Sequence, residues 1–310
     1  MDQGIEVEAL NFVTPFCTCN RGGEGCVARR AADEAGIPCK TISVTDELFE
    51  VIKNPRHGYG SQMNPCLDCR TLMFSKARQH MEETGAAFVF TGEVLGQRPM
   101  SQHHRAMRII ERESGLEGRL LRPLSARLLE PTVPEREGVV DRDQLLAIEG
   151  RSRRPQMTLA EEWGISDYPC PAGGCRLTDP GFARRMRDLV RFRPDFDLKD
   201  VLLLRVGRHF RISPWAKAVA GRDEGENQAI LMWKGDGDIL FEVAGCGSPV
   251  TLLRGRAGED EILLAAAITA RYSDAGGDQI QVHYGRHYAA LDESISVSPP
   301  DEDMLARLRL

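Results

Sequence analysis

Nine cysteines in 310 residues are the side chains of this sequence best suited to chemistry, and they are unevenly spaced. Cys66 and Cys69 stand three apart in NPCLDCR, and Cys170 and Cys175 bound a second Pro/Gly loop, CPAGGC. Cys17, Cys19 and Cys26 follow the first apolar run in TPFCTCNRGGEGC. A Cys-X-X-Cys spacing serves zinc, iron–sulfur clusters and redox pairs alike. Two separated loops of this kind are more specific than either alone, because glycines let the backbone wrap closely around a cluster or substrate. A closed zinc site would use Cys66, Cys69, Cys170 and Cys175. A three-cysteine cluster on Cys66, Cys69 and Cys175 would leave one iron open. A thioredoxin-like pair fits less well, since that motif opens a helix just after a strand and NPCLDCR reads as a turn. The isolated Cys39 and Cys246 read as small buried hydrophobes.

A second stretch, TGEVLGQRPMSQ (residues 91–102), follows a compact apolar run. Gly92 and Gly96 permit a turn that presses backbone against a nucleotide, and Gln97, Ser101 and Gln102 offer hydrogen bonds. It matches none of the standard phosphate loops. The net charge of −6 argues against a nucleic-acid partner, but the charge is unevenly spread. Basic residues crowd 98–127 (Arg98, Arg105, Arg122 and Arg127 among them), recur as Arg151, Arg153 and Arg154, and recur again in FARRMRDLVRFR. Such patches bind phosphate on an acidic chain, or simply solvate helix faces.

The elements that must position these groups are legible in outline. GIEVEALNFV, KTISVT and AAFVFTG read as strands, separated by the helices VARRAADEAG and TLMFSKARQHMEETG, which close at Gly36 and Gly85. Strand alternating with helix predicts a parallel α/β sheet, with ligands beyond the carboxyl ends of its strands. TPFCTC and TGEVLGQ fall at such ends. Residues 105–165 read as mainly helical, broken by prolines, and FARRMRDLVRF as a further helix. Past residue 195 the texture changes to short β-like runs: VLLLRVGRHFRIS, KAVAGR, AILMWK, DILFEVAG and VTLLRG. A helix, EDEILLAAAITARYS, and a strand, QIQVHYG, complete a smaller α+β domain. The expected division is 1–190 and 191–310. With 42% hydrophobic and 28% charged residues, no 18-residue apolar run and no leader-like start, a cytoplasmic chain with reduced thiols and no membrane contact is expected.

Several of these stretches together carry a resemblance. TGEVLGQRPMSQ and LLRPLSA resemble segments of tRNA 4-thiouridine synthases. NPCLDCR resembles the cysteine loop of related tRNA thiouridylases, and PQMTLAEEWGISDYPCPAGGC continues the likeness. KAVAGRDEGENQAIL and LAAAITARYS resemble an NFACT-R-like RNA-binding module. The resemblance implies an adenine-nucleotide α-hydrolase-like (ATP pyrophosphatase, PP-loop) domain followed by the RNA-binding domain. It implies a tRNA sulfurtransferase in which ATP, with magnesium, adenylates a uracil carbonyl and a sulfur nucleophile displaces AMP. Thr91, Gly92, Glu93, Gly96 and Gln97 would lie at the nucleotide. Cys66, Cys69 and Cys175 would hold a [4Fe–4S] cluster that delivers sulfide, with zinc or a cysteine persulfide as the alternatives. Arg98, Arg122, Arg222, Asn227, Arg271 and Tyr272 would contact RNA. The implied partners are tRNA, a sulfur donor (sulfide or a cysteine desulfurase) and a second copy of the chain. No SGGxDS loop occurs in the sequence. The chain as given is therefore expected to activate ATP poorly, for want of the N–H nest that holds the phosphates. Rival readings are an RNA-binding protein that kept the fold without catalysis and a zinc-stabilised nucleotide-binding protein.

Overall fold

The computed structural model describes residues 3–18, 27–165 and 174–310. Cys19, Cys26 and Cys170 lie outside the described residues. The chain forms two compact units, Met1–Thr178 and Asp179–Leu310.

The first unit is α/β. Its elements are β1 (Ala9–Val13), α1 (Val27–Glu34), β2 (Cys39–Ser43), α2 (Thr45–Lys53), α3 (Cys66–Thr84), β3 (Val89–Phe90), α4 (His104–Ser114), β4 (Leu120–Leu121), α5 (Val133–Arg136) and α6 (Arg154–Glu162). Among the described residues its four strands pair in parallel, divided between two ribbons, β1 with β2 and β3 with β4. An apolar cavity of about 680 Å³ borders both β1 and β3. Consecutive residues line it, Ala9 with Leu10 and Val89 with Phe90. Successive side chains of a strand point to opposite faces, so strand edges border the cavity. As the alternation of elements predicts, TPFCT and TGEVLGQ leave the carboxyl ends of β1 and β3. Helix α3 begins at Cys66, five residues earlier than the sequence indicates, and ends on a left-handed Gly85 with φ 74°. The stretch 105–165 is less helical than expected: α4 is followed by short turns of helix until α6.

The second unit is a mixed α+β domain. It contains α7 (Pro180–Phe192), α8 (Leu198–Leu203), β5 (Arg208–Ser213), β6 (Ala216–Ala220), α9 (Glu224–Met232), β7 (Ile239–Glu242), β8 (Thr251–Gly255), α10 (Glu259–Arg271), β9 (Ile280–Gly285), β10 (Glu293–Val297) and α11 (Glu302–Leu308). The strands form one antiparallel sheet in the order β10-β9-β7-β8-β6-β5. The period-2 pattern sorts its faces. Ala216, Ala218, Ala220, Phe241, Leu253 and Val282 join the core cluster built on α10. Val219, Leu240 and Leu252 face Leu203 and Ile230 of α8 and α9. The alanines of β6 and of α10 (Ala265, Ala266, Ala270) leave no bulk between sheet and helix, and all are buried.

Two runs expected to be β are helices. Val201, Leu202 and Leu203 of VLLL lie in α8, with Leu204 as its C-cap, and AILM lies in α9. Aspartate caps decide both: Asp197 accepts from Asp200 N at 3.0 Å, and Asp223 accepts from Glu226 N at 2.9 Å. Helix α7 belongs to the second unit, where the sequence reading had it end the first. Asp188 of α7 accepts Arg211 Nε of β5 at 2.8 Å, which ties the helix to the sheet. Among the described residues, no helix is long and apolar enough to cross a membrane.

Candidate functional site

Backbone hydrogen bonds bring the cysteine-bearing segments of the first unit together. Arg176 N donates to Phe16 O at 2.9 Å, and Cys17 and Cys175 face each other in an antiparallel bridge. Thr18 Oγ1 donates to Gly174 O at 2.7 Å. Met63 N donates to Leu177 O at 3.1 Å, which fastens the NPCLDCR loop to the same segment. Phe16 and Leu177, both buried, are the apolar pins, with Phe16 edge-on to Phe49 at 6.1 Å. Cys66 occupies the first position of α3 and Cys69 lies one turn on, so both project from one side of the helix. The pair thus opens a helix, as a redox motif does, but a loop rather than a strand precedes it.

The loop is built around Asn64. Its Nδ2 donates to Cys66 Sγ at 3.2 Å, while its Oδ1 accepts from Gln62 N at 3.2 Å. Gly60 makes this possible, because a Cβ there would strike the Asn64 amide. Cys69 and Cys175 interact electrostatically with each other and with Cys66, and Cys175 also with Cys17. Burial pushes the Cys69 thiol up to about 11 and the Cys175 thiol up to about 12, with the neighbouring cysteines adding to both. Both are thiols near neutral pH. Soft sulfur donors of this kind suit zinc, iron–sulfur or sulfur-carrier chemistry. Yet among the described residues no three His, Cys, Asp or Glu side chains are arranged to hold a metal ion. The donor types fit a metal, and Cys170, the fourth ligand of the closed zinc reading, lies outside the described residues. Cys246 is exposed, contrary to the buried reading, and Cys39 is half-buried.

The TGEVLGQ loop divides its residues between structure and surface. Glu93 is buried and accepts Arg122 Nε at 3.1 Å, with Arg70 Nε 3.4 Å from its other oxygen. Arg122 is only 2% exposed and is also engaged by Glu111. An arginine so enclosed and neutralised cannot reach RNA, which corrects its assignment as a surface contact. Gly96, at φ 75°, brings its backbone against Gly150, where a Cβ would come within 3.3 Å of Gly150 N. Its freedom serves chain packing, and Gly150 N closes the contact by donating to Leu95 O at 2.8 Å. Gly92, Gln97 and Arg98 instead line an open cavity of about 330 Å³, shared with Arg153 and Gln156 from the start of α6. Thr91 N donates to Leu121 O at 3.0 Å and continues the β3–β4 pairing.

In the second unit Asn227 is a structural residue. Its Oδ1 accepts from Val250 N at 2.9 Å, and Gly221 leaves room for it. Arg222 is half-exposed and pairs with Glu226 one turn on, its Nε 2.9 Å from Oε2. Tyr272 packs beside Phe210 at 6.1 Å and gathers three arginines. Arg208 lies over its ring at 4.5 Å, Arg271 at 5.9 Å, and Arg309 donates to its hydroxyl at 2.7 Å. Glu302 is the one carboxylate paired with this group among the described residues, 3.8 Å from Arg271 and 3.4 Å from Arg309. With Arg208 on one face, Tyr272 works as the hub of a basic patch rather than as an open stacking surface. Sequence reasoning missed Arg208 and Arg309, since only the fold brings β5 and the chain end to Tyr272. It also missed Trp215, which is 67% exposed at the β5–β6 turn.

Residues 207–308 match the family described as the NFACT protein RNA binding domain, so the expected C-terminal NFACT-R-like domain is present. No curated protein matches the chain. Among solved structures, the C-terminal part of the fibronectin/fibrinogen-binding protein from Streptococcus suis is similar at 12% identity and a TM-score of 0.30. That similarity spans 91% of this chain and 100% of that one.

Proposed function

We propose that this chain is an RNA-binding protein whose C-terminal unit makes the principal contact. The observation that carries the reading is the cluster of Arg208, Arg271 and Arg309 around Tyr272, inside or next to the segment that matches the RNA-binding family. Guanidinium groups make charge-assisted, often bidentate bonds to phosphate. Three of them at one edge can engage several phosphates, and Trp215, exposed at the β5–β6 turn at the other end of β5 from Arg208, offers a separate flat apolar surface on which a base can stack. Charge reversal of Arg271 and Arg309 in the full chain tests this by gel-shift titration against tRNA. Binding is expected to weaken at least tenfold. The dependence of log K on log salt should become shallower by about one for each phosphate that the variant no longer neutralises. Unchanged affinity and slope would remove the patch from the interface.

A second reading gives the first unit a chemical role in tRNA thiolation, and the meeting of Cys17, Cys66, Cys69 and Cys175 favours it. In this reading a uracil carbonyl activated by ATP at the Thr91–Gln97 loop is attacked by sulfur carried on this cluster. Cys66, Cys69 and Cys175 would be the carriers: either one bears a persulfide whose outer sulfur comes from a cysteine desulfurase, attacks the activated carbon as AMP leaves, and is released when a second cysteine closes a disulfide with it, or the three would hold a zinc or [4Fe–4S] centre that would bind and present sulfide. Asn64 would orient Cys66. Burial would keep Cys69 and Cys175 protonated until a metal or a sulfur donor engages them. The test is thiouridine content in tRNA from cells carrying Cys66→Ser or Cys175→Ser; unaltered content would end this reading and leave RNA binding standing.

A further inference from the structure

Cys17 and Cys175 stand in a register that brings their side chains together. The segments that hold them run antiparallel, and the bonds between the segments lie on either side of the two cysteines. On one side Arg176 N donates to Phe16 O at 2.9 Å. On the other, Thr18 Oγ1 donates to Gly174 O at 2.7 Å and accepts from Gly174 N at 3.2 Å. The cysteine backbones bond elsewhere: Cys17 N donates to Thr14 O at 3.4 Å, and Cys175 O accepts from Thr178 N at 2.9 Å. Cys17 and Cys175 are therefore a non-hydrogen-bonded pair of an antiparallel ladder. In such a pair the Cα atoms approach to about 4.5 Å, with both side chains on one face. That spacing lies inside the range of roughly 4.4–6.8 Å between Cα atoms that a disulfide spans. The electrostatic influence of Cys17 on Cys175 agrees with it.

The two differ in access. Cys17 is exposed and Cys175 is half-buried. Phe16 and Leu177, both buried, anchor the two segments, and Met63 N holds Leu177 O at 3.1 Å. An oxidant from solvent thus meets Cys17 first, with Cys175 fixed opposite. Among the described residues no backbone pairing sets Cys66 or Cys69 across from Cys175. Cys246, also exposed, lies between β7 and β8 with no cysteine paired to it among the described residues.

We propose that Cys17 and Cys175 form a reversible disulfide that withdraws Cys175 from the cysteine group when the surrounding thiol pool is oxidised. The oxidant is a low-molecular-weight disulfide of the glutathione class. The Cys17 thiolate attacks one sulfur of the oxidant, whose S–S bond breaks and releases a thiolate that takes up a proton. Cys175 Sγ then attacks Cys17 Sγ, gives its proton to solvent and releases the second small thiol. Two protein thiols are oxidised while one small disulfide is reduced to two thiols. The step requires neither RNA binding at the second unit nor thiolation. It governs whatever chemistry Cys175 performs with Cys66 and Cys69.

Equilibration of the full chain with reduced and oxidised glutathione, then acid quenching, alkylation and peptide mapping by mass spectrometry, tests the assignment. As the ratio becomes oxidising, peptides joined through Cys17 and Cys175 should be the first internal crosslink, and dithiothreitol should remove it. Cys246 is the internal control. It should carry at least about tenfold more bound glutathione than Cys17, from which Cys175 displaces it. In Cys175→Ser, glutathione should accumulate on Cys17 as it does on Cys246. Cys17→Ser should leave Cys175 reduced over the same range, and Cys66→Ser should leave the crosslink unchanged. The wild-type map decides without any variant, so a variant that misfolds does not spoil the test. The proposal is overturned if Cys17 of the wild type retains glutathione. It is equally overturned if the first internal bond joins Cys17 to Cys19, or Cys175 to Cys66.

Discussion

Lys217 offers the sharpest test of the second unit's energetics. It lies on β6 with its side chain buried, facing Asp188 of α7 at 3.7 Å. Arg211 and Arg185 add positive charge nearby, and Arg211 already binds Asp188 at 2.8 Å. Burial, partly offset by Asp188, lowers the Lys217 pKa from 10.5 to about 7. The unfolded chain therefore holds this proton more tightly than the fold does. Between pH 10.5 and 7 the unfolded state binds more protons, so stability must fall as pH drops through that window and level off below it. At about 1.4 kcal/mol per tenfold change in proton affinity, the ceiling on this loss is about 5 kcal/mol, and relaxation of the surroundings reduces it. His209, fully buried and held well below 6.5 by burial and by Lys217 and Arg185, titrates outside the window. Lys217→Met keeps the apolar stem and removes the charge, leaving Asp188 to Arg211. Urea unfolding followed by tryptophan fluorescence, in a Trp163→Phe background that leaves Trp215 and Trp233 as reporters, is the assay. The wild type should gain about 1–3 kcal/mol from about pH 7 to about pH 9. The variant should lose that slope and be the more stable near neutral pH. A variant that is less stable there, or that keeps the slope, would refute the reasoning.

The buried ion pair and the cysteines give further outcomes. Glu93→Ala strands Arg122 in a buried site with Glu111 as its remaining partner, and should cost about 3 kcal/mol in unfolding experiments. Replacing Glu93 by Leu together with Arg122 by Met should cost less than Glu93→Ala alone. Gly60→Ala drives a methyl group into the Asn64 amide, so it should destabilise the loop and raise the alkylation rate at Cys66, both read in one labelling experiment. Alkylation near neutral pH should modify exposed Cys246 at least about tenfold faster than Cys69 or Cys175, whose thiolates burial disfavours, as peptide mass spectrometry would show.

What the sequence made legible was local. The glycine stops at Gly36 and Gly85 and the long apolar stripe of α10 announce themselves through turn chemistry and period. VLLL and AILM read as strands because short apolar runs have no period of their own. The deciding signal is the preceding aspartate, Asp197 or Asp223, which is also a common turn residue. Parallel pairing was foreseeable from alternating strand and helix, but its division into two ribbons was not, because register between distant segments leaves no local mark. The candidate sites show the same limit. Cys66 and Cys69 were visible as a spacing, whereas their union with Cys17 and Cys175 depends on backbone bonds across most of the first unit. Glu93 and Arg122 stand out in the sequence for their charge, and the fold spends that charge on each other.

RNA binding by the C-terminal unit rests on the arginines around Tyr272. Photo-crosslinking of the full chain to bound tRNA, with crosslinked peptides mapped by mass spectrometry, tests it most directly. Crosslinks are expected in peptides of residues 207–308, foremost those carrying Trp215 and Tyr272, and should disappear when Arg271 and Arg309 are reversed in charge. Crosslinks confined to residues before 207, or unchanged by the reversal, would contradict it.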